Sequence, residues 1–333
     1  MLAFVLAACA GPGPARPPVV ATPDASSPAP VPTDRPAPAG PPPRPSATPG
    51  DPSAGSWTRS DLAKFSDIKR DITYCTANGV ALKLDMYSPL GKGEGPFPAA
   101  VYIHGGGWTA GDKANGEGLP DAIELVGRGY IVTSVNYRLA PQNKFPAQIE
   151  DVKCAVRHLR ANAAAYHLDP NRIGVWGTSA GGHLAALLGM TTLRDGFEGT
   201  GGFAGQSSRV QSVVDMFGPA DLKAEFAPAN QRIVQMVFGA SSSDDPVIVR
   251  ASPVSYVSGA APPFLLLHGT LDRLVAPAQS RELYERLTAA GAKATLVMVA
   301  NAGHSFVPMG GPISPSRAEI SRMVGDFFDK TMR

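Results

Sequence analysis

Short apolar segments alternate with helical ones from residue 71 to residue 331, and this alternation is the strongest constraint on the fold of the chain. Residues 99–103 form a short apolar run that is typical of a buried strand. In residues 147–165, apolar side chains recur at helical spacing with charged ones between them, which predicts an amphipathic helix. Strands alternating with helices predict an α/β fold with a mostly parallel central sheet and helices on both faces. We predict strands at 71–75, 80–87, 98–104, 130–135, 172–176, 210–217, 264–268 and 294–299, and helices ending near 129 and at 147–165, 180–190, 276–290 and 316–331.

Proline divides the chain into two parts, since 16 of its 33 prolines fall within residues 1–55. Residues 10–55 have almost no large apolar side chains, so they cannot bury enough surface to fold. We therefore expect a disordered Pro/Ala-rich tether at 10–55. Residues 56–333 are then expected to form one α/β domain.

The first nine residues are apolar and end in Leu6-Ala7-Ala8-Cys9, which resembles a bacterial lipobox with Cys9 as the lipidated residue. The match is partial, because a signal peptide has a basic start and the first basic residue here is Arg16. Met1 would then lie inside a longer natural signal, or the tetrapeptide is a chance match in an Ala-rich leader. We expect an exported protein, either a cell-envelope lipoprotein or secreted, that contacts a membrane only through this anchor.

Charge and cysteine content limit the classes of partner. Lys and Arg number 30 against 28 Asp and Glu, with no basic run, which argues against a protein that binds nucleic acid through phosphate contacts. Besides Cys9, the cysteines are Cys75 and Cys154, which show no metal-ligand spacing. We expect two buried free thiols, with a disulfide as the alternative in an exported protein.

Four motifs fall at the carboxyl ends of the predicted strands, where α/β sheets gather function. The first is Gly177-Thr178-Ser179-Ala180-Gly181, directly after a strand and before a helix. A Gly-x-Ser-x-Gly sequence in that setting predicts a nucleophile elbow with Ser179 as nucleophile.

The second motif, His104-Gly105-Gly106-Gly107-Trp108, ends the third predicted strand. Consecutive glycines leave backbone N–H groups free to face a cleft, and acyl transfer needs such donors where charge develops on the carbonyl oxygen. We predict an oxyanion hole formed by the N–H groups of Gly106, Gly107 and Ala180.

The remaining two motifs supply a base and an acid. His304 lies in the loop between the last strand and the last helix, whereas His104, His183 and His268 are expected to have packing or turn roles. Asp272 follows the strand at 264–268 and is expected to orient the imidazole. The rival is Asp221, whose place at a helix start suits capping better.

The order Ser179, Asp272, His304 and the motifs together resemble a bacterial α/β-hydrolase of the esterase/lipase group. The His-Gly-Gly-Gly loop is similar to that of hormone-sensitive lipase-like esterases. The resemblance covers residues 70–331 and implies ester hydrolysis through an acyl-serine, with no metal or organic cofactor. The stretches 135–141 (VNYRLAP), 145–147 (FPA), 150–152 (EDV) and 176–184 (WGTSAGGHL) are closer to the acetyl-xylan and feruloyl esterase-like subgroup.

Substrate size is predicted from the expected cap. A small cap within residues 222–252, around 232–238, predicts an open site and short acyl or acetylated and feruloylated carbohydrate esters. The glycine-rich loop 196–208 is a second candidate border of the cleft. Two other functions stay open, an amide hydrolase on the same residues and an inactive surface binding protein. Pocket candidates are Trp108, Thr178, His183 and Phe306.

Overall fold

The computed structural model describes residues 58–114, 116–224 and 228–333. The expected signal at 1–9, the lipidation candidate Cys9 and the tether at 10–55 lie outside the described residues. Within the described ranges, no helix combines the length and the apolar character needed to cross a membrane.

The described residues form eight strands, β1 (Ser66–Ala77), β2 (Val80–Pro89), β3 (Phe97–Ile103), β4 (Ile131–Val135), β5 (Leu168–Thr178), β6 (Ser212–Met216), β7 (Phe264–Gly269) and β8 (Ala294–Val299). They make one sheet in the order β1-β2-β4-β3-β5-β6-β7-β8. β1 and β2 form an antiparallel hairpin, β2 also pairs antiparallel with β4, and every other pairing is parallel. All eight predicted strands are present, and β1 begins earlier than predicted because residues 66–69 pair with residues 86–89 at the end of β2.

Helices cover both faces of this sheet, which confirms the predicted α/β architecture. Successive residues of β3 point to opposite faces, so Val101 enters one core and Tyr102 the other. The face that carries Val101 is covered by α3 (Ala147–Ala161), α4 (Ala180–Met190) and α7 (Ala278–Ala289). The face that carries Tyr102 is covered by α2 (Leu119–Gly127) and α8 (Arg317–Met332). The helices are α1 (Arg59–Ala63), α2 (Leu119–Gly127), α3 (Ala147–Ala161), α4 (Ala180–Met190), α5 (Pro228–Phe238), α6 (Pro246–Ala251), α7 (Ala278–Ala289) and α8 (Arg317–Met332).

α4 is the most deeply buried helix, with ten of its eleven residues buried. Its sequence is apolar on nearly every side, which suits a helix packed against β5, β6 and α3 at once. α5 and α6 lie within residues 222–252, where the sequence predicts a small cap, and Ile233 and Val234 of α5 line the cavity beside Ser179.

A disulfide joins Cys75 on β1 to Cys154 on α3, with their Cα atoms 6.4 Å apart. The expectation of two free thiols is therefore wrong, because β1 lies across α3 and brings the two side chains together. The loop 196–208 packs here as well, where Arg157 Nε donates to the carbonyl of Gly202 at 3.2 Å. No residue of this loop is among the described residues that line the cavity beside Ser179. The expectation that loop 196–208 borders the cleft is therefore wrong.

Candidate active site

Ser179 lies on a sharp turn between the last residue of β5 and the first residue of α4. Its backbone has φ 54° and ψ −120°, a region that a residue other than glycine adopts rarely and at a cost. The backbone N–H of Ser179 donates to the carbonyl of Met216 on β6 at 2.9 Å, which fixes the turn to the sheet. The side chain is thereby raised above the carboxyl edge of the sheet.

Glycines on both sides of Ser179 permit the close packing that this turn needs. A Cβ on Gly177 would collide with the carbonyl oxygen of Gly181. A Cβ on Gly181 would collide with the carbonyl oxygen of Ile103 on β3. The glycines of the motif are therefore required because the helix start crosses two strands at backbone contact distance.

The structure brings Ser179, His304 and Asp272 together in one hydrogen-bonded line. The hydroxyl of Ser179 lies 2.9 Å from Nε2 of His304. Nδ1 of the same imidazole lies 2.7 Å from Oδ2 of Asp272. When Nδ1 carries the proton and donates a hydrogen bond to the carboxylate, Nε2 has a free lone pair. Nε2 can then accept the proton of the serine hydroxyl. This arrangement can generate a nucleophilic alkoxide.

Asp272 is held as a carboxylate. Burial alone would favour its neutral acid, but hydrogen bonds from His268 and His304 hold its pKa well below the ordinary range. The backbone N–H groups of Leu274 and Val275 add two hydrogen bonds to Oδ1, at 2.8 and 3.0 Å. The ionised group is therefore available to orient His304.

The rival carboxylate, Asp221, does not take part in this line. Its Oδ1 accepts the backbone N–H of Lys223 at 2.9 Å, a local turn contact. This role is close to the capping function expected for it from the sequence.

Phe217 supports the imidazole from the end of β6. Its ring stands edge-on to His304 with centroids 4.8 Å apart, and edge-on to Phe306 at 4.9 Å. Phe306 is buried in the core on the side of α8, so it supports Phe217 from behind. Phe306 is not among the described residues that line the cavity beside Ser179, contrary to the expectation from the sequence.

The glycine loop after β3 lies against Ser179. Gly106 and Gly107 line the same cavity as the serine hydroxyl, with φ of 108° and 59° that favour glycine. No described residue accepts a hydrogen bond from the backbone N–H of Gly107 or from that of Ala180 at the start of α4. Ala180 lies at the N-terminus of α4 and Gly107 in the loop facing it, and unpaired N–H donors in such a position can bind an anionic oxygen.

The cavity at Ser179 has a volume of about 340 Å³ and is mostly apolar. Trp108, one of the pocket candidates, lines it. Thr178 and His183 do not, because both side chains are buried beneath the surface and make internal hydrogen bonds. The described residues that line the cavity are Gly106, Gly107, Trp108, Thr109, Glu117, Ser179, Ala180, Pro219, Ile233, Val234, Leu274, Val275, His304 and Ser305.

Glu117 is a polar member of this lining that the sequence analysis missed. It lies in a short 3-10 turn just before α2, in a Gly-rich segment without a recognisable motif. Its Oε2 accepts a hydrogen bond from Oγ1 of Thr178 at 2.7 Å. The only sequence signal that points toward Glu117 is Thr178. This residue directly precedes the nucleophile, and its hydroxyl, once buried, needs a hydrogen-bond partner.

The fold and this serine–histidine–aspartate line place the chain among the α/β-hydrolases. More narrowly, residues 84–287 match the model of the family described as BD-FAE, and the chain belongs to that family.

The relatives agree with this placement. Esterase LipC of Mycobacterium tuberculosis is 33% identical over 229 residues, which is 67% of this chain and 56% of the relative. This chain spans about half the length of the curated relatives LipC, LipQ and LipM that it matches.

Solved structures of esterases are also similar to this chain, over a larger share of its length. A truncated carbohydrate esterase from gut microbiota has a TM-score of 0.68 at 29% identity, covering 80% of this chain and 97% of that one. The propionate-bound esterase Est2 of Thermogutta terrifontis has a TM-score of 0.66 at 26% identity, covering 80% and 94%.

Proposed function

We propose that the protein hydrolyses carboxylic esters through an acyl-enzyme on Ser179. The observation that carries this proposal is the Ser179–His304–Asp272 line at the wall of an apolar cavity. It is supported by family membership and by relatives that are named esterases. A serine of this kind is a weak nucleophile until an adjacent base removes its proton.

In the proposed reaction, Ser179 attacks the ester carbonyl while Nε2 of His304 takes the hydroxyl proton. Asp272 keeps the imidazole in the required tautomer and stabilises the imidazolium that forms. The carbonyl oxygen, now negative, receives hydrogen bonds from the N–H groups of Gly106, Gly107 and Ala180, each worth roughly 3 kcal/mol in the transition state. His304 returns the proton to the leaving alcohol, and water activated in the same way then releases the acid.

The proposed substrates are esters with short acyl groups, or else acetylated or feruloylated carbohydrate esters. The cavity is only about 340 Å³, and the cap helix α5 narrows it through Ile233 and Val234. A carbohydrate esterase among the structural relatives favours a carbohydrate alcohol. A chain-length series of 4-nitrophenyl esters tests this, and a maximum at long acyl chains would contradict it.

Replacing the nucleophile tests the mechanism directly. Ser179→Ala should lower kcat for 4-nitrophenyl acetate by roughly 10⁴-fold or more, because the remaining groups cannot form the acyl-enzyme. It should also abolish labelling by a fluorophosphonate probe. Ser258→Ala, at an exposed serine remote in sequence from these motifs, is the matched control. Full activity in Ser179→Ala would refute the assignment.

Amide hydrolysis on the same residues is the alternative function, and paired ester and anilide substrates with the same acyl group separate the two. A preference for the anilide would favour the alternative. A catalytically inactive binding protein is disfavoured because a serine, a histidine and a carboxylate are present in hydrogen-bonding contact.

We further propose that the protein is exported and anchored through Cys9, with residues 10–55 as the tether. The Cys75–Cys154 disulfide supports export, since disulfides persist in oxidising compartments and are rare in the cytosol. Mass spectrometry of the native N-terminus tests the anchor. A lipidated Cys9 is expected, and a mature chain that begins with unmodified Met1 would contradict it.

A further inference from the structure

Glu117 places a carboxylate beside the nucleophile. Its Oε2 lies 3.4 Å from the position that a Cβ on Gly105 would take, and Cβ of Ser179 lies 3.3 Å from the same position. The carboxylate and the serine therefore flank Gly105 closely. Apart from His304, no other described residue that lines this cavity has an ionisable side chain.

Two buried hydroxyl groups hold this carboxylate in place. Thr178 Oγ1 donates to Glu117 Oε2 at 2.7 Å and lies 3.0 Å from the hydroxyl of Tyr102. Since a threonine hydroxyl has a single proton, Tyr102 is the donor in the second bond. Tyr102 lies on β3 and Thr178 on β5, so the carboxylate is oriented by the sheet itself. No described residue donates to its other oxygen, Oε1.

The negative charge of Glu117 has no cation paired with it among the described residues. Arg317, whose charge acts on it, is already committed to Asp121 through bonds of 2.8 and 2.6 Å. The walls of the cavity are largely apolar, and a charge in such surroundings acts more strongly on a ligand than it would in water. Glu117 therefore lines the cavity without a direct ion pair among the described residues.

We propose that Glu117 is a specificity-determining residue that makes the site selective for uncharged esters and excludes anionic ones. A substrate carboxylate within the cavity would meet a like charge at short range. A substrate hydroxyl can instead donate to Oε1, which fits the alcohol part of a carbohydrate ester. This inference rests on the ester hydrolase function proposed above.

Charge selectivity is measured as the ratio of kcat/KM for monoethyl succinate, which is anionic, to that for the uncharged ethyl pentanoate, which is similar in size. Glu117→Gln keeps the acceptor for Thr178 and removes the charge. It should raise this ratio by about ten-fold or more, as expected for a unit charge a few ångströms from another. Glu285→Gln, which removes an exposed glutamate on α7, should leave the ratio at the wild-type value.

Ionic strength gives a second measurement that requires no variant. In the wild type, the same ratio should rise with added salt, because salt screens the repulsion of the anionic ester, and the rise should be smaller in Glu117→Gln. A ratio unchanged in Glu117→Gln, or independent of salt in the wild type, overturns the proposal. Failure of the ester hydrolase function is seen separately, as a wild type with no Ser179-dependent turnover of the uncharged ester.

Discussion

The indole Nε1–H of Trp108 donates a hydrogen bond to Nδ1 of His183 at 3.2 Å. Nε2 of the same imidazole lies 2.8 Å from the carbonyl oxygen of Ala251. An indole N–H can only donate and a carbonyl can only accept, so His183 is neutral with its proton on Nε2. The imidazole thus connects the glycine loop that ends in Trp108, the helix after the nucleophile and the end of cap helix α6.

This connection predicts a pH-dependent loss of stability. Burial lowers the pKa of His183 to about 4, below the ordinary value of 6.5. As pH falls, the histidine of the unfolded chain takes up its proton before that of the folded chain. The contribution of neutral His183 to the free energy of unfolding is therefore complete above pH 6.5 and is lost between about pH 6.5 and pH 4. The loss should be on the order of 3 kcal/mol in the free energy of unfolding.

Urea unfolding at several pH values tests this for His183. The His183→Gln variant should show a smaller decrease in unfolding free energy across this window than the wild type. His167→Gln, at an exposed histidine, should follow the wild type. An unchanged pH slope in His183→Gln would show that this imidazole is not the titrating group.

The close approach of helix α4 to β3 predicts a large effect of one methyl group. Gly181→Ala places a Cβ against the backbone carbonyl of Ile103, which cannot move without distorting the strand. The free energy of unfolding should fall by about 3 kcal/mol, at the upper end for overpacked sites, and Ser179 should lose its position. Gly205→Ala is the matched control, because a Cβ there meets no atom within 4 Å. Equal stability of the two variants would contradict the assigned packing.

Site residues can be predicted from the sequence where they are marked by the elements that directly precede and follow them in the chain. Ser179 could be predicted because a strand, a Gly-x-Ser-x-Gly segment and a helix follow each other directly. His304 and Asp272 could be found because each follows a strand, and parallel strands bring their carboxyl ends to one edge.

Features that depend on long-range packing could not be predicted in this way. Glu117 acquires its orientation from Thr178, 61 residues later in the chain, and no local pattern records that contact. The pairing of Cys75 with Cys154 spans 79 residues and depends on how β1 crosses α3. Thr178 and His183 adjoin the nucleophile in sequence, but the elbow turns their side chains inward, so they do not line the cavity.

The Cys75–Cys154 disulfide should stabilise the fold by about 4 kcal/mol, chiefly by restricting the unfolded chain, as expected for a loop of this length. Urea unfolding with and without a reductant measures this contribution. The double variant Cys75→Ala/Cys154→Ala should have the stability of the reduced wild type and should not respond to reductant. A wild type whose stability is the same in both conditions would contradict the prediction.

Asp215 on β6 predicts the opposite pH dependence from that of His183. Its side chain is fully buried beside the elbow, where Oδ1 accepts the N–H of Gly218 at 2.9 Å and Oδ2 has no partner among the described residues. Burial raises the pKa of Asp215 to about 6 from 3.8. As pH rises, the unfolded chain ionises first, so stability is lost between about pH 4 and pH 6, on the order of 3 kcal/mol in total.

The variant Asp215→Asn cannot ionise and keeps an oxygen that accepts from Gly218. Its unfolding free energy, relative to that of the wild type, should therefore increase from pH 4 to pH 6 and stay constant above that. Asp67→Asn, at an exposed aspartate, should show no such increase. A difference between Asp215→Asn and wild type that does not change with pH would mean that Asp215 has the same pKa in the folded and unfolded chain. In that case the missing partner of Oδ2 would have to be supplied within the folded protein, since a buried carboxylate without compensation cannot keep an ordinary pKa.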